Sequence, residues 1–188
     1  MDTALQDRLL KLARWTLETW SRDGDWRRGG PALAKDEDRP VDGLFVTLTR
    51  ADGSLRGCIG TLAPQPSLDR TLRETAVSAA GADPRFPPVD GGEVAGLRIA
   101  VSILSPMEPL ADPEIVKIGR DGLVIEQGGR RGLFLPEVPV EAGWDRERYL
   151  EELCRKAFLP PGAWRDPASR LYRFTTLQFS ESGGAAEG

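Results

Sequence analysis

Two alternating apolar runs on either side of a turn signal constrain this chain more than any other feature of it. Leu44-Phe45-Val46-Thr47-Leu48-Thr49 precedes Asp52-Gly53, and Leu55-Arg56-Gly57-Cys58-Ile59-Gly60-Thr61 follows it. Period-two runs joined across Asp-Gly read as a β-hairpin. With Asp52-Gly53 as a two-residue turn, Ala51 faces Ser54, Thr49 pairs with Arg56, Thr47 with Cys58 and Phe45 with Gly60. One face then carries Leu44, Val46, Leu48, Leu55 and Ile59, which belong in a core. The other carries Phe45, Thr47, Thr49, Arg56 and Cys58. A one-residue slip mixes the two sets, so the register is well specified. On this register the Arg56 guanidinium and the Cys58 thiol leave the strand on the same side.

The flanking sequence supplies helices and further strands. Leu5, Leu9, Leu12, Ala13, Thr16, Leu17 and Trp20 recur at helical spacing and predict a helix over 3–22. Residues 23–42, rich in Gly, Asp, Arg and Pro, read as loop. Ser67 is placed to cap a helix over 68–80, with Gly81 ending it. Asp83-Pro84-Arg85-Phe86-Pro87-Pro88-Val89 is a rigid turn or extended piece. Leu97, Ile99, Val101 and Ile103 alternate as a strand that stops at Ser105-Pro106. Asp112-Pro113 can open a short helix. Gln127-Gly128-Gly129-Arg130 joins a second hairpin, and Asp145 can cap a helix over 146–158. The apolar face of that helix is Tyr149, Leu150, Leu153, Cys154, Ala157 and Phe158. Residues 171–179 alternate as a last strand, and Glu181 to Gly188 are expected to be disordered. About six strands and three longer helices give an α+β class: a mainly antiparallel sheet flanked by helices, with a smaller second lobe. The domain spans 1–180.

Composition narrows the chemistry. The 188 residues hold no histidine, which removes a His-based triad, a His-ligated metal and an imidazole base. Two cysteines do not make a zinc cluster or a disulfide framework, so no metal is expected and a reducing cytoplasm is the default. Twenty-nine acidic against 25 basic residues give a net charge of -4, which speaks against nucleic acid as a partner. No apolar run approaches the roughly 18 residues of a membrane span.

Leu55-Arg56-Gly57-Cys58-Ile59-Gly60-Thr61 resembles the hallmark heptapeptide of the AMMECR domain family, also called AmmeMemoRadiSam system protein A. The likeness continues in order through Asp83 to Val89, Val101 to Pro106, Gly122 to Gly132, Gly143-Trp144-Asp145 and Leu153 to Ala157, so it covers about residues 43–179. It implies an α+β fold with a larger and a smaller lobe. It also implies Memo-like and radical-SAM proteins as partners, and no particular reaction or cofactor.

Cys58 is the one candidate nucleophile or redox thiol, and Arg56 on the same face is placed to favour its thiolate. The plain alternative is a small residue packed in a strand between glycines. Arg56, Arg85 and Lys156, with Arg130 and Arg131, are candidate clamps for a small anionic ligand, and Phe86 a candidate pocket wall. The alternative for each arginine is a structural salt bridge, and for Phe86 a core position. No complete acid–base set can be assembled. The sequence therefore favours an accessory or small-ligand-binding module over an enzyme built on Cys58.

Overall fold

The computed structural model describes residues 1–181 and contains two compact units. One is formed by Met1–Ile103 with the segment from Leu177, and the other by Leu104–Thr176. The α+β expectation holds. In place of one main sheet, the chain forms two four-stranded sheets.

In the first unit, α1 (Thr3–Trp20) starts at Asp2, whose carboxylate accepts the Leu5 N–H at 2.8 Å. α2 (Leu68–Gly81) starts at Ser67, whose hydroxyl accepts the Arg70 N–H at 3.1 Å. These caps satisfy backbone donors that the helices themselves leave orphaned. The sheet runs in the order β2-β1-β3-β8, with β1 Leu44–Thr49, β2 Leu55–Thr61, β3 Arg98–Leu104 and β8 Thr176–Ser180. Leu9, Leu12 and Leu17 of α1, Leu72 and Ala76 of α2, Leu44, Val46 and Leu48 of β1, and Ile99 and Val101 of β3 are sealed from solvent in one cluster. Each large member contributes roughly 1.5–3 kcal/mol by leaving water. β2 lies at the edge of this sheet.

The second unit holds a sheet in the order β4-β7-β5-β6, with β4 Glu108–Pro109, β5 Gly122–Gln127, β6 Arg130–Phe134 and β7 Arg170–Phe174. A five-residue α3 (Glu137–Glu141) precedes α4 (Arg146–Lys156). Asp145 caps α4 by accepting the Arg148 N–H at 2.8 Å. Tyr149, Leu150, Leu153 and Cys154 of α4 close over Leu123, Ile125 and Leu171 of the sheet. Inside this core the Tyr149 hydroxyl donates to the Asp121 and Phe134 carbonyls, and burial pushes its pKa up.

Four sequence expectations are corrected. The last alternating run is two strands, β7 and β8, in different sheets, parted at Thr175. Glu181 is ordered: its carboxylate accepts from Arg14 and from the Ile99 N–H. Residues 182–188, the rest of the tail expected to be disordered, lie outside the described residues. Gly81 is the last residue of α2, and the chain leaves the helix at Ala82. Phe158 is not on the apolar face of α4. It is 84 % exposed, with φ 56°. The helix closes there in a Schellman motif: Leu159 N–H donates to the Cys154 carbonyl and Phe158 N–H to the Arg155 carbonyl, both at 2.9 Å. That geometry turns the residue just past the cap into the left-handed region and its side chain outward.

Candidate functional site

The heptapeptide lies on β2, but its register differs from the simple hairpin. Arg50 N–H bonds the Ser54 carbonyl, Gly53 N–H bonds the Arg50 carbonyl, and Gly53 alone in the loop has positive φ, at 83°. A two-residue type I′ turn needs positive φ at both central residues. Asp52 does not supply it, and the loop takes three residues, with Gly53 in the left-handed position. That shifts Thr49 onto Leu55 in place of Arg56. A bulge then inserts one residue, so Leu48 pairs with Gly57, and the expected pairs Thr47 with Cys58 and Phe45 with Gly60 are restored. The two one-residue offsets cancel.

The inserted residue is Arg56. A bulge breaks the alternation of side chains, so the expected juxtaposition of the Arg56 guanidinium with the Cys58 thiol does not arise. Arg56 is 3 % exposed and is held elsewhere. Its Nε and Nη2 donate to the two carboxylate oxygens of Glu93 at 2.9 and 2.8 Å. Its Nη1 reaches the Pro87 carbonyl at 2.9 Å and Nη2 also the Pro88 carbonyl at 3.3 Å. The Glu93 carboxyl, drawn down first by its hydrogen bonds from Arg56 and also by the Asp90 N–H, sits at about 2. Gly57, next in the bulge, has no room for a side chain, because a Cβ there would meet the Ala79 carbonyl oxygen of α2 at 2.1 Å.

Cys58 is fixed through its backbone. An edge strand leaves every second N–H and C=O without a neighbour. At Cys58 these groups are met by the Asp83–Arg85 pair. Cys58 N–H donates to Asp83 Oδ2 at 2.8 Å, and Arg85 Nη2 donates to the Cys58 carbonyl at 3.2 Å. Arg85 Nε and Nη2 also grip Asp83 at 3.0 and 2.7 Å, and the Arg85 N–H adds a third bond to it. Hydrogen bonding from Arg85, ahead of the Cys58 and Arg85 N–H groups, holds the buried Asp83 carboxyl well below the usual carboxylate range. Together the two side chains do the work of a missing neighbouring strand.

The half-buried Cys58 thiol lies 3.2 Å from the Thr47 hydroxyl across the strand pair. Thr47 has Ala100 of β3 as its other neighbour. Farther along this sheet, Thr49, Arg98, Gln178 and Ser180 border an open concavity of about 600 Å³. Phe86 is half-buried, with the Arg85 guanidinium 5.5 Å from its ring centroid.

The remaining candidates belong to the second unit. Lys156 ends α4 with its ammonium 5.6 Å from the Phe134 ring centroid. Arg130 Nη1 donates to the Phe158 carbonyl at 2.5 Å, and Arg131 faces Glu126 at 3.4 Å. The structure thus joins Arg85, Phe86 and Cys58 around Asp83, and separates Arg56 from the thiol. Sequence reasoning missed Glu93 and Asp83 as the anchors. Asp83 lies inside the Asp83 to Val89 motif, and a carboxylate two residues from Arg85 was the available signal. Glu93 carried none.

The whole chain has clear relatives. A protein of Thermococcus gammatolerans is 43 % identical over 188 residues, covering 92 % of this chain and 88 % of that one. A protein of Methanothermobacter thermautotrophicus is 45 % identical over 181 residues, covering 93 % of each. The crystal structure of the uncharacterised protein PH0010 from Pyrococcus horikoshii superimposes with a TM-score of 0.82 at 38 % identity, covering 97 % of this chain and 94 % of that one. The AMMECR1 family model matches residues 10–179, with the bulged and doubly anchored β2 strand inside it, and this chain belongs to the AMMECR1 family.

Proposed function

We propose that this chain is a non-catalytic accessory or small-ligand-binding module of the cytoplasm that works with Memo-like and radical-SAM partners. The observation that carries the reading is the commitment of the motif's charged groups. Arg56 gives its donors to Glu93 and two carbonyls, and Arg85 gives its donors to Asp83 and the Cys58 carbonyl. The buried Arg56 guanidinium, tied through all three of its nitrogens, holds a framework and has little left for a substrate. Arg85 has both Nε and Nη2 committed, with only Nη1 left over among the described residues. The side chain that hydrogen-bonds the thiol is the Thr47 hydroxyl, which is no general base at neutral pH. The partners are those that the family resemblance implies.

A catalytic reading has one observation on its side: Arg85 stands against the Cys58 backbone, so a cation lies beside the thiol residue. Iodoacetamide labelling of the native protein separates the two. Cys154 is no reference, because it is sealed in the core and burial pushes its thiol up. Free cysteine at the same pH is the reference. On the accessory reading Cys58 labels more slowly than free cysteine from pH 6 to 9, and Arg85→Lys does not change that. Labelling about tenfold faster than free cysteine, the mark of a thiol with a lowered pKa, would overturn it. The partner half is tested by size-exclusion chromatography with purified Memo-like and radical-SAM proteins from the same genome. Co-elution with at least one is expected, and elution apart from both removes that half.

A further inference from the structure

One buried guanidinium draws the 21–42 loop of the first unit onto α2. Arg73 is 4 % exposed, and its Nε donates to Asp69 Oδ1 at 2.6 Å. Its Nη1 and Nη2 reach the carbonyls of Trp26 at 3.0 Å and Pro31 at 2.7 Å. These bonds seat Trp26 in the protein, at 8 % exposure, and fix the chain on both sides of Arg27 and Arg28.

Arg27 and Arg28 are exposed and differ from every arginine described above. The Arg27 guanidinium lies over the Trp26 ring, 4.0 Å from its centroid. A guanidinium held by an aromatic face is positioned while its N–H donors, which lie in its own plane, stay free. Among the described residues, neither guanidinium makes a hydrogen bond or an ion pair with a protein group. Asp25, the carboxylate nearest in sequence, accepts the backbone N–H of Arg27 at 3.3 Å.

The two arginines, with Arg70 of α2 opposite, border a cleft of about 290 Å³, at the lower end of the range for small-molecule sites. Its charged lining is Arg27, Arg28, Arg70 and Arg73 against Asp69 and Glu74, an excess of two positive charges in a chain whose net charge is -4. Arg70 is paired with Glu74, at side-chain exposures of 76 % and 47 %. Such a surface pair is held weakly, so Arg70 can turn to a stronger acceptor.

We infer that this cleft binds a compact oxyanion carrying two or more negative charges, of the phosphate- or carboxylate-bearing small-molecule class, with Arg27 and Arg28 as its clamps. The site goes beyond the accessory reading and does not depend on it, since it lies apart from the heptapeptide and needs no partner protein.

Calorimetric titration at low salt with pyrophosphate and with citrate tests the inference and tells the two sources of charge apart. At least one is expected to bind saturably, one per chain, below about 1 mM. The double variant Arg27→Ala/Arg28→Ala is expected to weaken that binding at least about tenfold. Arg155→Ala, which removes an exposed arginine of α4 in the second unit, should leave it unchanged. Both variants replace exposed side chains, and a melting curve matching the parent confirms folding; the single Arg28→Ala serves if the double variant fails it. No saturable binding of either probe up to about 10 mM overturns the site. So does a folded Arg28→Ala or double variant that binds as tightly as the parent, or an equal loss in Arg155→Ala.

Discussion

Arg56 and Arg28 are the same residue in the same unit, and the protein uses them in opposite ways. Arg56 is 3 % exposed and meets one carboxylate and two carbonyls, all brought to it by the 83–93 segment. Arg28 is exposed, and its guanidinium meets no protein acceptor among the described residues. The difference comes from where the backbone runs out of partners. A bulge and a sheet edge at β2 leave groups that must be tied down, and arginine forks tie them. At the 26–28 loop that task falls to Arg73, and its two neighbours are left over. The same contrast divides the candidates of the heptapeptide region from those of the cleft: composition alone scores all arginines alike, whereas the acceptors around each one decide its work.

The largest expected effect tests the bolted side of this contrast. Arg56→Met keeps the stem and removes the guanidinium, taking from the Pro87 and Pro88 carbonyls their Arg56 donors and leaving the Glu93 carboxylate with only the Asp90 N–H. Breaking a buried pair from one side typically costs about 3–5 kcal/mol. Glu93 is 32 % exposed, so water takes up part of the loss, and about 2–3 kcal/mol is expected in urea unfolding. A loss under about 0.5 kcal/mol, the level of an ordinary surface change, would put Arg56 in the same class as Arg28.

A smaller effect follows from pH. Glu93 has its carboxyl drawn from the ordinary 4.5 down to about 2, chiefly by Arg56. A carboxyl lowered on folding adds stability that is complete above its unfolded value and is lost as pH falls through its folded one. The Glu93 contribution should therefore decline from about pH 4.5 and be gone near pH 2. Asp83, held lower still by Arg85, should keep part of its contribution below that point. Denaturation midpoints between pH 2 and 6 should fall less steeply in Arg56→Met than in the parent. Parallel slopes would mean that Glu93 is not held by Arg56 in solution.

These tests fall where the sequence was hardest to read. Ser67 and Asp145 were legible as caps because the donors they satisfy lie three residues away. The β1–β2 pairing was legible from Thr47–Cys58 toward Phe45–Gly60, since alternation fixes it. The turn was misplaced by one residue because Asp-Gly suits a two-residue loop and a three-residue loop with a left-handed glycine equally well. The bulge that repairs the offset was not legible, because it is stabilised by Glu93, 37 residues beyond Arg56. The fold class could be read from the pattern of elements, but not the division of the last run between two sheets, because both halves alternate alike. Asp83 and Arg85 were both in view as sequence. Their role depends on β2 being an edge, which is a property of the whole sheet.

Phe158 sharpens the comparison with the smallest effect, because its backbone is bolted while its side chain is free. Helical periodicity placed it on the apolar face of α4, but the helix closes one residue too early for that, with Pro160-Pro161 just beyond. Its carbonyl accepts from Arg130, its N–H is used by the Schellman motif, and its ring is 84 % exposed. The left-handed conformation costs a residue with a Cβ on the order of 1 kcal/mol, and glycine avoids that cost. Glycine gives back part of the gain by freeing the unfolded chain. Phe158→Gly should therefore stabilise the protein by roughly 0.5 kcal/mol, an unusual sign for removing a large apolar side chain. Urea unfolding of the variant beside Leu153→Ala provides the contrast. Leu153 is sealed in the core beneath α4, and its truncation should cost about 2–5 kcal/mol. If Phe158→Gly destabilises by more than about 1 kcal/mol, the ring packs against the protein in solution, and periodicity was the better guide to that residue.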